Sequence, residues 1–207
     1  MSNLVAFKSA GLPAVTSLAA SLRSLAPTAA SGTAILKMDR TGHWVFGADQ
    51  DEVETGSTWA VNPFAFLHGW IAWGDGDVLG EMMASVSEPL PDTGAAPAGA
   101  KKGWEQQVGM SLKCISGEDK GLEVRYSSTS VGGKRGIQTL AVAIAGQVDT
   151  DPTKPVPVVT LGKEFYMHKS FGKIYTPLFD VQSWIGMDGE EEAPEPTPEA
   201  PARRRRS

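Results

Sequence analysis

Lysines alternate with apolar and aromatic residues near the C-terminal end of the chain. Every second residue in this stretch belongs to the following set: Lys163, Phe165, Met167, Lys169, Phe171, Lys173 and Tyr175. Side chains of a β-strand alternate between its two faces, so much of this set is expected on one face, although Ser170 to Gly172 is expected to turn the chain. Cations that neutralise phosphates, beside rings that stack on bases, favour a single-stranded nucleic acid as the ligand. The alternative is a core strand pair whose lysines extend from its edge.

Further residues are expected to enlarge this surface. Three of them lie on strands predicted to neighbour it: Lys113, Arg125 and Tyr126. Lys134 and Arg135 belong to the sequence GGKRG at the start of a predicted helix, where a backbone phosphate could bind. This sequence is not a P-loop, because Ser128 stands where glycine is required and Arg135 follows the lysine. A flexible entry to the helix is the alternative interpretation.

Residues for catalysis or metal binding are not grouped in the sequence. The three histidines lie far apart: His43, His68 and His168. With Cys114 as the only cysteine, a structural zinc site is not expected. The motifs GxSxG, HExxH and GxGxxG are absent. The sequence therefore predicts no catalytic residue, metal or cofactor, and it favours a binding protein over an enzyme.

Charge is distributed unevenly along the chain, whose formal net charge is −5. Residues 34 to 90 carry nine acidic and two basic side chains, a net of −7. Residues 101 to 175 carry eleven basic and seven acidic side chains, a net of +4. A polyanion would be attracted to the second region and repelled by the first.

The elements that must position these residues are mostly strands. Alternation and turn residues predict strands at 33–38, 43–47, 57–61, 66–73, 78–86, 104–115, 122–128, 156–162, 164–170 and 173–185. One helix is predicted at 137–148, and the long loop 89–103 is predicted to be functional or mobile. Strands, one helix and a final hairpin follow the order of an OB-fold. We therefore expect a β-rich α+β protein, an OB-fold-like barrel with extra N-terminal strands.

Composition divides the chain into three segments. Residues 1–32 are predicted to form an arm with a short amphipathic helix at about 13–25, and residues 33–187 the β-rich domain. Residues 188–207 are acidic and proline-rich, which predicts a disordered tail. That tail would be either a solubilising segment or a recruitment peptide, and the terminal Arg203 to Arg206 run could instead add affinity for phosphates.

Cysteine usage and hydropathy bear on the compartment. A single cysteine allows no intramolecular disulfide, which favours a reducing compartment. The first residues do not resemble a secretory signal, and the apolar runs are too short to cross a bilayer. An intracellular protein with no membrane partner is expected, and a homo-oligomer is compatible with the sequence.

Three stretches of the chain together resemble small proteins of tailed bacteriophages, encoded beside DNA replication and recombination genes. These stretches are 35–49, 59–81 and 168–184, and the resemblance covers about residues 33–187. It implies a single-stranded-DNA-binding protein acting in the cytoplasm of the bacterial host, and it implies no particular binding residues. The acidic tail is similar to the tails with which such proteins recruit replication partners. It departs from them in ending on arginines.

The sequence thus predicts a sequence-tolerant single-stranded-DNA-binding protein that supports replication or recombination of phage DNA. Replication or recombination proteins are expected as partners of residues 188–207. One alternative is a virion structural or decoration protein, in which β-rich domains pack against each other. Another is a nuclease-type enzyme that uses acidic residues between positions 39 and 81.

Overall fold

The computed structural model describes residues 33–189, so the predicted N-terminal arm and most of the predicted tail lie outside the described residues. The described part contains ten strands and one helix: β1 (Ala34–Met38), β2 (Trp44–Phe46), β3 (Asp51–Glu52), β4 (Thr58–Val61), β5 (Leu67–Gly74), β6 (Asp77–Ser85), β7 (Glu105–Cys114), β8 (Glu123–Ser128), α1 (Val131–Thr150), β9 (Val156–His168) and β10 (Gly172–Ile185). The predicted strands are present, except that 156–162 and 164–170 form the single strand β9. The short strand β3 was not expected.

The strands form one branched sheet. Its main path runs in the order β10-β9-β4-β7-β8-β1-β2-β3, while β5 pairs with both β6 and β7. The pairing of β1 with β8 is parallel, with Ala34 opposite Val124, and the other pairings are antiparallel. The β-rich α+β class is therefore confirmed.

The closed barrel expected from the order of elements is not confirmed, because the sheet remains open. Within the described residues, β10 pairs only with β9, and β8 pairs with β7 and β1. The two ends of the sheet approach each other through side chains instead. The indole Nε1 of Trp44 on β2 donates a hydrogen bond to the carbonyl oxygen of Gly162 on β9 at 2.9 Å. The Trp44 ring also lies 5.5 Å from that of Phe179.

Helix α1 packs on one face of the sheet, which we call the inner face. Its buried residues Ile137, Leu140 and Ile144 join a core that includes Trp59 and Val159, both fully buried. Burying large apolar side chains of this kind contributes about 1.5–3 kcal/mol each. Trp59 and Val159 are opposite each other in the β4–β9 ladder and so point to the same face. The opposite, outer face carries mainly polar side chains near β7 and β8.

The helix begins six residues before its predicted start. Ser130 is the N-cap residue, and its hydroxyl oxygen accepts a hydrogen bond from the amide of Gly133 at 3.0 Å. Glycines in the first turns cost helix propensity but allow a close approach to β10. A Cβ atom added at Gly136 would lie 3.1 Å from the carbonyl oxygen of Pro177. Among the described residues, no helix combines the length and apolar character needed to span a membrane.

The long loop after β6 packs against the β5–β6 hairpin. The indole nitrogen of Trp70 donates a hydrogen bond to the carbonyl oxygen of Pro91 at 2.9 Å. The amide nitrogen of Lys101 donates one to the carbonyl oxygen of Trp73, also at 2.9 Å. These bonds connect both halves of the loop to β5. The loop therefore covers the hairpin, a structural role that the sequence prediction did not include.

Candidate nucleic-acid interface

The outer end of the β9–β10 hairpin carries the alternating residues. Phe165 lies opposite Tyr175 in the ladder, and Met167 lies opposite Lys173. Opposed residues of an antiparallel pair point to the same face, and alternation places Lys163 with them. Phe165 and Lys163 lie an even number of positions from the buried Val159 along β9, so they point to the inner face, beyond the end of the core. We call these five residues the lysine–aromatic face.

The lysines of this face lie over its rings. The Lys173 Nζ atom is 3.9 Å from the centroid of the Phe165 ring and 4.8 Å from that of Tyr175. The Lys163 Nζ atom is 5.3 Å from the Tyr175 centroid. The two rings meet edge-on with centroids 6.3 Å apart. Phe165 is 59% exposed and Met167 is 72% exposed, so these side chains are available to a ligand.

The lysine–aromatic face is positively charged. Among the described residues, no carboxylate lies within ion-pair distance of Lys163 or Lys173. The nearest acidic residue in the sequence, Glu164, is opposite Thr176 and points to the outer face. A phosphate that approaches the inner side therefore meets two lysines that are in no ion pair among the described residues, while Glu52 and Glu54 line a neighbouring pocket together with Lys163.

Lys169 and Phe171 leave the alternation, at the turn that the sequence predicted for Ser170 to Gly172, so they do not share this face. They belong to the three-residue turn between β9 and β10, which Gly172 completes with a φ of +69°. The Phe171 ring packs on the His168 ring, with centroids 4.8 Å apart. His168 is opposite Gly172 and follows Met167, so it points to the outer face. Lys169 and Phe171 are both exposed, but the turn separates them from the lysine–aromatic face.

Lys113 and Arg125 do not extend the surface either. Lys113 is opposite Ala60, the residue after the inward-pointing Trp59, so Lys113 points to the outer face. Arg125 pairs with Ser111, two positions from Lys113, and therefore points to the same side. Each cation is already in an ion pair: Lys113 with Glu123 at 3.3 Å, and Arg125 with Glu81 at 2.9 Å.

Tyr126 belongs to the core. It is only 4% exposed, and its ring packs edge-on against Trp44 at 5.5 Å and Phe179 at 5.4 Å. Burial raises the pKa of the Tyr126 hydroxyl to about 12, and it outweighs the hydrogen bond with Ser128, which acts in the opposite direction. A ring enclosed in this way has no face on which a base could stack. The prediction that it contacts nucleic acid is corrected.

Lys134 and Arg135 lie on the first turns of α1, but their surroundings differ. Arg135 is exposed and borders a cleft between the helix and the β9–β10 hairpin. Lys134 is partly buried and does not line that cleft. Arg135 therefore lies beside the hairpin that carries the lysine–aromatic face, whereas Lys134 does not contribute to this cleft.

The turn between β1 and β2 contacts the site, which the sequence did not predict. A Cβ atom at Gly42 would lie 2.7 Å from Cδ1 of Tyr175 and 2.9 Å from Cδ of Lys163. The turn is held by Asp39, whose carboxylate accepts hydrogen bonds from the amides of His43 and Thr41 at 2.8 Å. These bonds lower the pKa of Asp39 because they stabilise its charged form. The turn residues were visible in the sequence, but their contact with residues more than 120 positions later was not.

Searches against models of known protein families, curated proteins and solved structures found no match to this chain. Within residues 33–189 there is no group of three or more His, Cys, Asp or Glu residues positioned to hold a metal ion.

Proposed function

We propose that the protein binds single-stranded DNA with little sequence preference, as a non-enzymatic accessory of bacteriophage replication or recombination in the host cytoplasm. The observation that carries the proposal is the lysine–aromatic face. It combines a Lys173 ammonium 3.9 Å from the centre of an exposed Phe165 ring with the absence of a carboxylate partner among the described residues.

Each part of this face has a role in binding. A base stacks on the exposed ring of Phe165 and displaces the Lys173 ammonium, which moves to the adjoining phosphate. Stacking of this kind contributes about 1–3 kcal/mol per base and tolerates any base, because every base has a π-face. Each phosphate that a lysine neutralises releases counterions, which makes the affinity fall with salt.

The strand pairing supports an OB-like interpretation of the domain. Strand β7 pairs with β4 and β8, β4 also pairs with β9, and β9 pairs with β10, with α1 between β8 and β9. An OB-fold has the same order of elements and the same pairings, except for its last pairing, which closes the barrel. We propose that β1 and β2 occupy the place of that ladder, so that the domain is an opened derivative of a fold that binds oligonucleotides. Recruitment of replication proteins by residues 188–207 is part of the same proposal.

The test is a titration of a short fluorescent oligothymidylate, followed by anisotropy between about 50 and 200 mM salt. Labelled DNA is required because the tryptophans do not lie on the lysine–aromatic face. Replacing both Lys163 and Lys173 by alanine should weaken binding and flatten the log–log salt slope by about 1.4, or about 0.7 for each lost phosphate contact. Phe165→Ala should weaken binding by about 1–3 kcal/mol with little change in slope.

Controls separate binding from folding. Lys120→Ala removes an exposed cation from the turn between β7 and β8 and should bind like the wild type. If Phe165 instead had a core role, Phe165→Ala would lose about 3–5 kcal/mol of unfolding free energy. The proposal fails if the double lysine variant binds as tightly as the wild type at low salt. It also fails if the wild type prefers duplex DNA or RNA to single-stranded DNA.

A further inference from the structure

A cleft of about 610 Å³ lies between the first turns of α1 and the β9–β10 hairpin. Arg135 and Thr139 line it from the helix, and Glu164, Phe165, Tyr166 and Leu178 line it from the hairpin. Its volume lies within the range of about 300–1,000 Å³ found for small-ligand sites. It is large enough for one nucleotide.

The walls of the cleft differ in chemistry. On the hairpin side, Tyr166 is 49% exposed and Leu178 is 40% exposed, so an aromatic ring and an aliphatic side chain are accessible. On the helix side, Arg135 is exposed and, within residues 33–189, has no carboxylate within ion-pair distance. The single carboxylate of the lining, Glu164, belongs to the hairpin wall. A phosphate is therefore attracted to the helix side and a base to the hairpin side.

The cleft is continuous with the lysine–aromatic face. Phe165 belongs to that face and also lines the cleft, and Tyr166 is the next residue of β9. Successive strand residues point to opposite faces, so Phe165 and Tyr166 present aromatic surfaces on the two sides of one strand. A flexible single strand that leaves the lysine–aromatic face at Phe165 can enter the cleft at Tyr166.

We infer that the cleft receives one nucleotide of the bound single strand, with its base on Tyr166 and its phosphate on Arg135. This inference rests on the proposed function and adds a second subsite to it. The first subsite lies on the inner face of the hairpin. The second lies at the edge of β10, where the first turns of α1 reach past the strand to the side of the hairpin that carries Glu164, Tyr166 and Leu178.

Photochemical crosslinking tests the position of the base. Oligothymidylate containing 5-iodouracil is bound to the full chain and irradiated, and the crosslinked residues are identified by mass spectrometry. We expect crosslinks at Tyr166 in addition to Phe165 or Tyr175. Thr139→Trp, which fills the cleft from the helix, should abolish the Tyr166 crosslink, retain the others and weaken binding about tenfold. Gln138→Trp is the matched control, because Gln138 is exposed on the same helix but does not line the cleft.

A salt titration tests the position of the phosphate. Arg135→Ala should flatten the salt slope by about 0.7, whereas Lys120→Ala should leave it unchanged. Crosslinks at Phe165 or Tyr175 without any at Tyr166, or a Thr139→Trp variant that binds like the wild type, would overturn the second subsite alone. A wild-type protein that does not bind the oligonucleotide would overturn the proposed function as well.

Discussion

Phe165 and Phe179 lie on the same face of the same hairpin, yet one is 59% exposed and the other only 8%. Phe179 packs against Trp44 and Tyr126, whereas Phe165 meets the Tyr175 ring and the Lys173 ammonium. Both residues lie in alternating strand sequence, so their difference in exposure comes from their distance from the core. For the same reason the sequence could identify the alternating lysines and rings, but it could not separate the buried Tyr126 from the exposed aromatic residues.

Burial of Tyr126 predicts a loss of stability at alkaline pH. In the unfolded chain its hydroxyl ionises near pH 10, whereas in the folded protein it stays neutral up to about pH 12. The unfolded state therefore binds fewer protons between these values, and the free energy of unfolding should fall by about 1.4 kcal/mol per pH unit for this group. This stabilisation is fully present below pH 10 and is lost as the pH rises towards about 12.

Urea unfolding between about pH 9 and about pH 12 measures this effect. Tyr126→Phe removes the ionisable group but keeps the ring, so its free energy of unfolding should fall less steeply with pH than that of the wild type. Parallel curves for the two proteins would show that Tyr126 does not titrate in this range.

At the scale of elements, the β1–β2 turn supports the hairpin that carries the lysine–aromatic face. Gly42 has a φ of +81°, a conformation that disfavours residues with a Cβ atom, and it also lies against Tyr175 and Lys163. Gly47, at the end of the same hairpin, has a φ of +73° but has no atom within 4 Å of an added Cβ. The two glycines therefore share a backbone constraint and differ in their contact with the site.

This difference gives a matched pair of substitutions. Gly47→Ala should lose about 1–2 kcal/mol of unfolding free energy, because its alanine is forced into the left-handed region, and Gly42→Ala should lose at least as much. Only Gly42→Ala displaces Tyr175 and Lys163, so it alone should also weaken single-stranded DNA binding, by about fivefold. Chemical denaturation and the anisotropy titration measure the two effects. Equal affinities of the two variants would show that the turn does not support the binding residues.

The local pattern predicted most elements but not all their ends. The sequence predicted separate strands at 156–162 and 164–170, yet β9 is continuous. At Gly162 Leu178 packs beside the glycine, and Trp44 donates to its carbonyl oxygen. The helix begins at Val131 because Ser130 caps it, and the glycines of its first turns allow it to lie close against β10. The Ser130 cap is a local contact. The others are contacts with distant parts of the chain, which local spacing does not contain.

At the scale of the whole molecule, the sheet divides the basic residues between its two sides. Lys113 is paired with Glu123 on the outer face, and Lys173, on the inner face, has no carboxylate partner within residues 33–189. Net charge along the sequence grouped the two lysines together, because it does not record which face of a strand a residue occupies. Nor did the order of elements reveal that β1 inserts beside β8, since pairings between distant strands depend on the assembled sheet.

The division between faces predicts that two lysine substitutions differ in their effect. Lys113→Ala should leave both the affinity for single-stranded DNA and its salt slope unchanged, and it should change the unfolding free energy by less than about 1 kcal/mol, as for other exposed ion pairs. Lys173→Ala should flatten the slope by about 0.7. A Lys113→Ala variant with the same loss of slope would place DNA on the outer face and contradict the assignment of faces.

The parallel ladder between β1 and β8 also determines when the sheet can form during translation. Val124 follows its partner Ala34 by 90 positions. At roughly 5–20 residues per second, the ribosome needs about 5–18 s to synthesise the intervening chain. During this time β1 can pair with β2, while β8, its partner on the other edge, has not yet been synthesised. That edge of β1 waits several seconds for β8, and in this period it is a template for β-pairing with a neighbouring nascent chain.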